Sequence, residues 1–323
     1  MDTKLIKDYL NTHNITYEED VKLSKRTWIH RGGMCKFYIT PVNSTELSQL
    51  IGFFADKVVN YLVVGCTSNI YIKNSFDIDV VISTLKCRST VFLDNEITCE
   101  CGMLVSRLAK ECVEKGISGF EYLTSLPGTI AGGIYNNSSC RENCITDNLI
   151  DIEFIDKEGK VIVLSKKDLS LSFRTSIFKL KKIEGCVLKA RFAIVKADRE
   201  QLKKIAEKNE ENRRKILASP SKNLGCTVNR PFSLGKMNLL LRIFLFLCRK
   251  SFRLFLSQEK TDLVCHKILF LITGNKQLGK YVSPKNVLTF LWLDDKADEQ
   301  FDNYLSFMHR YFRTDSLEIE VFS

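Results

Sequence analysis

The chain has 323 residues, of which 45% are hydrophobic and 27% are charged, and this composition excludes a disordered chain. Its formal net charge of +10 at pH 7 favours an anionic partner, which can be nucleic acid, an anionic membrane surface or a small phosphorylated ligand. The first ten residues mix acidic and basic side chains and lack the apolar run of a signal peptide. We therefore expect a globular protein of two or three structural units in the cytoplasm.

The 12 cysteines are scattered along the chain. The close pair Cys99 and Cys101 has no second pair at the spacing of metal ligands, so the pattern supports neither a zinc site nor a disulfide framework. We expect reduced thiols, as is usual for a cytosolic protein, and no bound metal.

The first half of the sequence predicts a β-α-β start followed by short strands. In chain order we expect a helix over residues 4–11, a strand at FYITP (37–41) and a helix that begins at the cap signal of residues 43–46. Strands at 61–64, 80–83 and 91–93 and a helix over 104–114 follow. This order is typical of an α+β protein and not of a regular doubly wound sheet.

The next part predicts antiparallel pairing and then a boundary. Strands are expected at IDIEFID (150–156), KVIVLS (160–165) and CVLKARFAIV (186–195), and the turn at residues 157–160 is a hairpin signal between the first two. Residues 199–216 are rich in Lys, Glu and Arg, which predicts a solvated helix. We place the boundary of the last domain at this helix.

Residues 236–258 predict one helix with a wide apolar surface. Arg242, Arg249 and Arg253 fall on one face of that helix, and charges interrupt the apolar residues too often for a membrane span. Such a helix can pack into its own domain with the arginines outward, lie on a membrane surface, or dock on a protein partner. The sequence leaves these three alternatives open.

Two glycine-containing loops define the candidate site. LTSLPGTIAGGIYNNS (123–138) carries Gly128, Gly132 and Gly133, and VVGCTSN (63–69) includes the end of a predicted strand. Glycine lets a ligand approach the backbone closely, and consecutive backbone amides bind phosphate oxygens. The two loops therefore indicate a site for a flat, charged cofactor.

The neighbours of these loops carry a family resemblance. They are TWIHRGGMCKFYITP (27–41), GFEYLTSLPGT (119–129), FRTSIF (173–178), LGCTVNRP (224–231), YVSPKNVLTFLWL (281–293) and LEIEV (317–321). This succession resembles the UDP-N-acetylenolpyruvoylglucosamine reductase (MurB) family, flavoenzymes of peptidoglycan precursor synthesis. The resemblance extends with gaps over residues 27–231, fails between 231 and 281, and resumes weakly near the C-terminus.

The resemblance implies a fold, two cofactors and a set of contacts. The fold is α+β, with a two-subdomain FAD-binding region of the MurB/PCMH type (1–83 and 84–197) and a smaller, divergent α+β C-terminal domain (198–323) that includes the helix 236–258. The cofactors are FAD and NADPH. Residues matching the cofactor-binding pattern are Gly65, Thr67, Ser68, Asn69, Pro127, Gly128, Thr129, Gly132, Gly133 and Asn137.

The resemblance also implies the reaction, in which the flavin N5 gives a hydride to the enolpyruvyl group of a UDP-sugar and forms UDP-N-acetylmuramate or a related surface-polysaccharide precursor. Arg174 would stabilise the developing carboxylate charge. Cys226, at the position of the family's serine proton donor, would donate the proton, and Glu320 would assist that step. Arg230 and Lys215 are candidates for contacts with substrate phosphate.

The departures from the family pattern fall mainly on the substrate side. Cys226 replaces serine, Phe173 replaces tyrosine, Asn286 replaces histidine, and the glycine-rich segments of the family's substrate domain are missing. Cys66 and Thr67 change the first glycine loop. Flavin binding is therefore better supported than turnover.

Two functions follow. The first is a divergent FAD-dependent reductase of an enolpyruvyl nucleotide sugar. The second is a non-catalytic protein that binds flavin or a nucleotide sugar and attaches to a membrane or a protein partner through residues 236–258. Nucleic-acid binding is a distant third because its only support is the net charge.

Overall fold

The computed structural model describes residues 2–140, 143–216, 222–229, 239–314 and 316–323. The chain divides into two compact units, and each unit is built from separate stretches of sequence. The N-terminal unit contains Met1–Lys25, Gly32–Ser68 and Ser75–Asn212, and the C-terminal unit contains Arg26–Arg31, Asn69–Asn74 and Arg213–Ser323. The three-part division at residues 83/84 and 197/198 stays a prediction.

The first part of the N-terminal unit has the β-α-β start that the sequence predicts. Its elements are α1 (Thr3–Thr12), β1 (Tyr17–Lys22), β2 (Met34–Ile39), α2 (Ser44–Asp56), β3 (Tyr61–Val64) and, after β4 (Ile70–Ile72) of the other unit, β5 (Ile78–Ser83). The sheet order is β1-β2-β5-β3, with β1 antiparallel and the other strands parallel. Helix α2 begins at the predicted cap, because Asn43 Oδ1 accepts a hydrogen bond from the Glu46 amide at 2.8 Å.

The second part of this unit is built around an antiparallel sheet. Its elements are β6 (Thr90–Phe92), β7 (Glu96–Glu100), α3 (Val105–Glu114), α4 (Ile130–Tyr135), β8 (Ser139–Cys140), β9 (Asn143–Cys144), β10 (Leu149–Asp156), β11 (Val161–Ser165), β12 (Gly185–Ala193) and α5 (Arg199–Ile216). The last four residues of α5 belong to the C-terminal unit. The sheet order is β11-β10-β12-β7-β6. The predicted hairpin between β10 and β11 is confirmed, and Gly159 takes a φ of +83° in its turn.

The C-terminal unit packs helices against short strands. After β4 its described elements are α6 (Leu239–Phe252), α7 (Gln258–Ile272), β13 (Val282–Ser283), β14 (Asn286–Phe290), α8 (Ala297–Phe312) and β15 (Glu320–Phe322). Strand β15 pairs parallel with β4, so the last strand forms a two-stranded sheet with a segment from early in the chain. The core is aromatic and includes Tyr71, Phe290, Trp292, Phe301 and Tyr304.

The bounds predicted for the helix over residues 236–258 are wrong. Residues 236–238 lie outside the described part, α6 ends at Phe252, and the next helix begins at Gln258. The break has a local cause, because the Ser257 hydroxyl accepts a hydrogen bond from the Lys260 amide and so caps α7. Among the described helices, none is both long enough and apolar enough to span a membrane.

All 12 cysteines lie in the described part of the chain and carry free thiols. Many of them are buried in the N-terminal unit, where Cys87, Cys101 and Cys186 share one core cluster. Burial raises the pKa of Cys112 and of Cys186 to about 12. These thiols therefore stay protonated at neutral pH.

Candidate active site

The two glycine loops meet inside the N-terminal unit. A Cβ atom on Gly65 would lie 2.5 Å from Thr129 Oγ1, and a Cβ atom on Gly128 would lie 3.5 Å from Ser68 Oγ. Gly128 also has a φ of +122°, a backbone conformation that other residues rarely adopt. The close approach of the two loops thus requires glycine at 65, and the backbone conformation requires it at 128. Ser68 and Thr129 lie at the contact between the loops.

Cys66 lies at the same contact. Burial raises the pKa of its thiol to about 11, and a hydrogen bond from the Gly128 backbone acts in the opposite direction without cancelling that shift. The next residue, Thr67, is buried, has a φ of +52°, and its hydroxyl donates to the Cys66 carbonyl oxygen at 2.8 Å. The first loop thus has a local hydrogen bond at its positive-φ residue and a neutral thiol beside the second loop.

Two hydroxyl groups in the second loop point to a polar ligand. Thr124 Oγ1 and Ser125 Oγ are buried, and neither has a hydrogen-bond partner within the described protein. A buried hydroxyl without a partner is costly, and a bound group with polar atoms would remove that cost. The residues present thus fit a cofactor such as FAD at this loop.

Thr124 and Ser125 are not among the site residues predicted from the sequence. A signal was available at residue 125, because the family pattern G-x-E-x-x-x-G-I-P-G has glycine where this chain has serine. A hydroxyl in place of glycine adds a hydrogen-bonding side chain beside that of Thr124.

Gly132 and Gly133 lie in the first turn of α4, and their backbone amides donate hydrogen bonds within that turn. The Gly132 amide donates to Thr129 Oγ1 at 3.3 Å and the Gly133 amide donates to the Thr129 carbonyl oxygen at 2.8 Å. A Cβ atom on Gly133 would lie 2.7 Å from Ile145 Cδ1. The structure thus gives Gly133 a packing role, and direct cofactor contacts of both glycines and of the exposed Pro127 stay predictions.

Asn137 connects the second loop to the FRTS segment. Its amide nitrogen donates to the Ser172 carbonyl oxygen at 2.8 Å, and its amide oxygen accepts from the Thr146 hydroxyl at 2.6 Å. A second link runs from the Ser176 hydroxyl to the Tyr135 carbonyl oxygen at 2.6 Å. Asn137, which the sequence predicts to contact the cofactor, therefore anchors the segment that carries Arg174 through a hydrogen bond.

Arg174 occupies a tight turn whose ends are hydrogen-bonded to each other. The backbone N–H groups of Ser172 and Thr175 donate to each other's carbonyl oxygens, both at 3.1 Å. Arg174 has a φ of +54°, and its half-buried guanidinium lies close enough to Cys144 to lower the pKa of that thiol, against the larger effect of burial. The loop and the turn together place the predicted anion-binding arginine in the same unit as the glycine loops.

The C-terminal unit holds Cys226 against Asn286. Asn286 Nδ2 donates a hydrogen bond to Cys226 Sγ at 3.4 Å, and Asn286 Oδ1 accepts from the Leu288 backbone amide at 3.1 Å. The second contact fixes the orientation of the amide, because only its nitrogen side is left for the sulfur. The two positions that depart from the family pattern in this unit are therefore direct neighbours.

The segment of Cys226 is anchored by the buried Thr227. The Thr227 amide donates to the Leu288 carbonyl oxygen at 2.7 Å, and its own carbonyl oxygen accepts from the Glu318 amide at 3.0 Å. Val228 forms an antiparallel bridge with Leu317, and continuing this register places Cys226 opposite the residue before Glu320. The C-terminal LEIEV segment thus runs beside the predicted proton donor.

Glu320 is held at the start of β15 by Asn69. The Glu320 amide donates to the Asn69 carbonyl oxygen at 2.9 Å, and Asn69 Nδ2 donates to the Glu318 carbonyl oxygen at 3.0 Å. Asn69 therefore positions the strand of the predicted catalytic glutamate, a role that its place in the first glycine loop did not predict. Its contact with a cofactor stays a prediction.

The two residues predicted to contact substrate phosphate, Lys215 and Arg230, stay predictions. Lys215 is exposed in the last turn of α5, where Arg213 and Arg214 add positive charge. Arg230 lies outside the described residues.

The first comparison with known proteins defines the class. A sequence model described as FAD binding domain matches residues 35–165, which cover both glycine loops. Together with the contact between those loops and the unpartnered hydroxyls beside them, the match identifies a FAD-binding protein with an α+β fold.

Curated relatives and a solved structure are similar to this chain. UDP-N-acetylenolpyruvoylglucosamine reductase of Caldicellulosiruptor bescii is 29% identical over 212 residues, 66% of this chain and 67% of the relative, and that of Caldicellulosiruptor saccharolyticus is 30% identical over 207 residues, 64% and 66%. The crystal structure of MurB from Thermus caldophilus matches with a TM-score of 0.67 at 18% identity and covers 96% of this chain and 100% of that chain. The chain is thus similar in sequence and in fold to UDP-N-acetylenolpyruvoylglucosamine reductases.

The fold match covers both units, whereas the aligned sequence spans about two thirds of the length of these curated relatives. The predicted fold, a MurB-type FAD-binding region followed by a C-terminal domain, is therefore confirmed. The chain is homologous to FAD oxidoreductases.

Proposed function

We propose that the protein is a FAD-dependent reductase that converts an enolpyruvyl UDP-sugar, UDP-N-acetylglucosamine enolpyruvate or a close relative, to the corresponding lactyl ether, with NADPH as the electron donor. The reaction adds one hydride and one proton across a carbon–carbon double bond that is conjugated to a carboxylate. The observation that carries the proposal is the coexistence of a FAD-binding region with the Arg174 turn in one unit and the Cys226–Asn286 pair in the other.

FAD, when bound to the glycine loops and the Thr124 and Ser125 hydroxyls, supplies the hydride and takes its electrons from NADPH. With a nucleotide sugar and NADPH as reactants, we place the reaction in the cytoplasm and its product among the precursors of peptidoglycan or another surface polysaccharide.

Arg174 is proposed to stabilise negative charge on the substrate carboxylate. A guanidinium can pair with a carboxylate through two parallel N–H···O bonds, and it does so best when its backbone is fixed. The turn between Ser172 and Thr175 and the anchor from Asn137 supply that fixed backbone. The guanidinium of Arg174 would therefore stabilise the negative charge that develops on the substrate during hydride addition, and it would not have to move to do so.

Cys226 is proposed to donate the proton. Because Asn286 Nδ2 donates to the sulfur, this contact does not use the S–H bond of Cys226, whose proton would go to carbon. Once the proton has left, the same N–H group stabilises the negative charge on the sulfur, and solvent returns a proton to complete the cycle. Asn286 thus serves as the positioning residue for the acid, and Glu320 assists from the neighbouring strand.

An anaerobic absorbance experiment tests the proposal. The purified protein should show a flavin spectrum that bleaches with NADPH and recovers when UDP-N-acetylglucosamine enolpyruvate is added, with the reduced sugar detected by mass spectrometry. A bound flavin that NADPH or the sugar leaves unchanged would favour the non-catalytic binding protein. A protein that binds no flavin even when FAD is added would refute both functions.

A further inference from the structure

Helices α6 and α7 and the turn between them expose many large apolar side chains. The exposed residues, which we call the α6–α7 surface, are Leu239, Ile243, Phe244, Phe246, Leu247, Leu254, Phe255, Leu263, Leu271 and Ile272. Single exposed apolar residues are ordinary, but a concentration of ten within 34 consecutive residues marks an interaction surface.

Helix α6 is apolar on two opposite faces. Leu241 and Leu245 pack against the core of the C-terminal unit, which accounts for one face. Leu239, Ile243, Phe246 and Leu247 lie on the other side of the helix and are exposed. Packing into its own unit thus explains only half of the apolar character of this helix.

The turn between the two helices is the most exposed part of this surface. Leu254 and Phe255 are 77% and 85% exposed, and they follow directly on the end of α6. A pair of large apolar side chains at the tip of a helical hairpin, with no described residue covering them, is shaped to enter an apolar layer. We call these two residues the tip.

The tip lies in a basic stretch of the chain. Residues 239–272 contain the exposed basic residues Arg242, Arg249, Lys250, Arg253, Lys260 and Lys267, against two acidic residues, of which Asp262 forms an ion pair with Arg249. An exposed apolar tip within a basic stretch of the chain is complementary to the interface of an anionic bilayer. It is poorly suited to a symmetric contact between two copies, which would bring the same cations together.

We infer that the α6–α7 surface docks on an anionic lipid bilayer, with the tip in the headgroup region and the lysine and arginine side chains of the same basic stretch on lipid phosphates. The contact is peripheral. It would hold the enzyme at the membrane surface, and it is independent of whether the reductase reaction takes place.

Sedimentation of the full chain with lipid vesicles tests this inference. We expect binding to vesicles of phosphatidylcholine with about 30% phosphatidylglycerol, weaker binding to pure phosphatidylcholine, and loss of binding as NaCl rises from about 0.1 to 0.5 M. The double variant Leu254→Ser/Phe255→Ser should bind the anionic vesicles at least about tenfold more weakly, and Lys250→Gln/Arg253→Gln should lower the salt dependence.

The matched control is Val161→Ser/Val163→Ser, which removes two exposed apolar residues from β11 in the other unit and should bind like the wild type. In a second measurement, Phe255→Trp should be quenched by brominated lipid. Absence of binding to anionic vesicles would overturn the inference, as would equal binding of the tip and control variants. A concentration-dependent dimer that the tip variant abolishes would assign the surface to a second copy instead.

Discussion

The side-chain amide of Asn137 donates a hydrogen bond to the carbonyl oxygen of Ser172 at 2.8 Å, and this bond joins the end of the second glycine loop to the turn that carries Arg174. Asn137 itself has a φ of +42°, a conformation that asparagine tolerates better than most residues. One buried residue thus supports both the loop and the arginine.

We expect Asn137→Ala to lower the free energy of unfolding by about 2 to 4 kcal/mol, because two buried hydrogen bonds are lost and the backbone conformation becomes less favourable. Thr146→Val is the matched control, since it removes only the hydrogen bond on the other side of the amide. Hydrogen exchange over residues 172–175 should rise in Asn137→Ala and not in Thr146→Val. Equal exchange in the two variants would contradict the proposed anchor.

Replacement of Arg174 should separate catalysis from cofactor binding. Arg174→Ala is expected to lower kcat for enolpyruvyl reduction by about 10² to 10³-fold while the flavin spectrum stays unchanged, because the guanidinium acts on the substrate carboxylate. Arg174→Gly tests the turn, since glycine accepts the φ of +54° without a side chain. Equal losses in both variants would assign the effect to the guanidinium, and an unchanged rate in either would refute its role.

Cys226 should tolerate serine and not alanine. Serine keeps a proton and accepts the hydrogen bond from Asn286, whereas alanine offers neither, and we expect a fall in kcat of at least about 10²-fold for Cys226→Ala. Asn286→Leu should reduce the rate of wild type more than that of Cys226→Ala, because its effect passes through the sulfur. Stopped-flow reoxidation of the reduced flavin by substrate gives the rates. Full activity of Cys226→Ala would place the proton donor elsewhere.

The contact between the glycine loops predicts opposite effects of alanine at two glycines. Gly65→Ala should lower the free energy of unfolding by about 1 to 3 kcal/mol and weaken FAD binding, because the new Cβ meets Thr129 Oγ1 at 2.5 Å. Gly52→Ala, in α2 with open space around the new Cβ, should be neutral or stabilise by up to about 1 kcal/mol. Urea unfolding and FAD titration check both, and similar behaviour of the two variants would contradict the loop contact.

The buried thiols predict a loss of stability at alkaline pH. Cys112 has its pKa raised from 9.0 to about 12 by burial, so between these values the unfolded chain releases a proton that the folded chain keeps. The contribution of the Cys112 thiol to the free energy of unfolding is complete below pH 9. As the pH rises further, this contribution falls by about 1.4 kcal/mol per pH unit. Urea unfolding of wild type and Cys112→Ala at pH 8 and pH 10.5 should show the wild type losing about 2 kcal/mol more than the variant. An equal loss would mean that this thiol ionises in the folded protein.

Local signals in the sequence were sufficient for much of the secondary structure. The Asn43 cap of α2 and the Gly159 hairpin turn depend on neighbouring residues alone, and both form as predicted. The family resemblance was needed for the fold, because no periodicity indicates that the two glycine loops meet.

The long-range contacts could not be predicted in this way. The hydrogen bond between Asn286 and Cys226 joins residues 60 positions apart, and the anchoring of Glu320 by Asn69 joins residues from opposite ends of the chain. The break between α6 and α7 was missed because the apolar pattern continues through residues 253–256, while the serine that caps the next helix carries a weaker signal.

The pairing of β15 with β4 sets an order of events during synthesis. The core of the C-terminal unit includes Ile29 and Tyr71, which are made early, and it closes only when residues 317–322 have been added to them. The N-terminal unit, by contrast, has all of its strands by Ala193. On the ribosome the N-terminal unit is therefore complete before segments 26–31 and 69–74 can pack with the later residues of their own unit. A chain that stops before residue 317 would leave those segments exposed to chaperones and proteases.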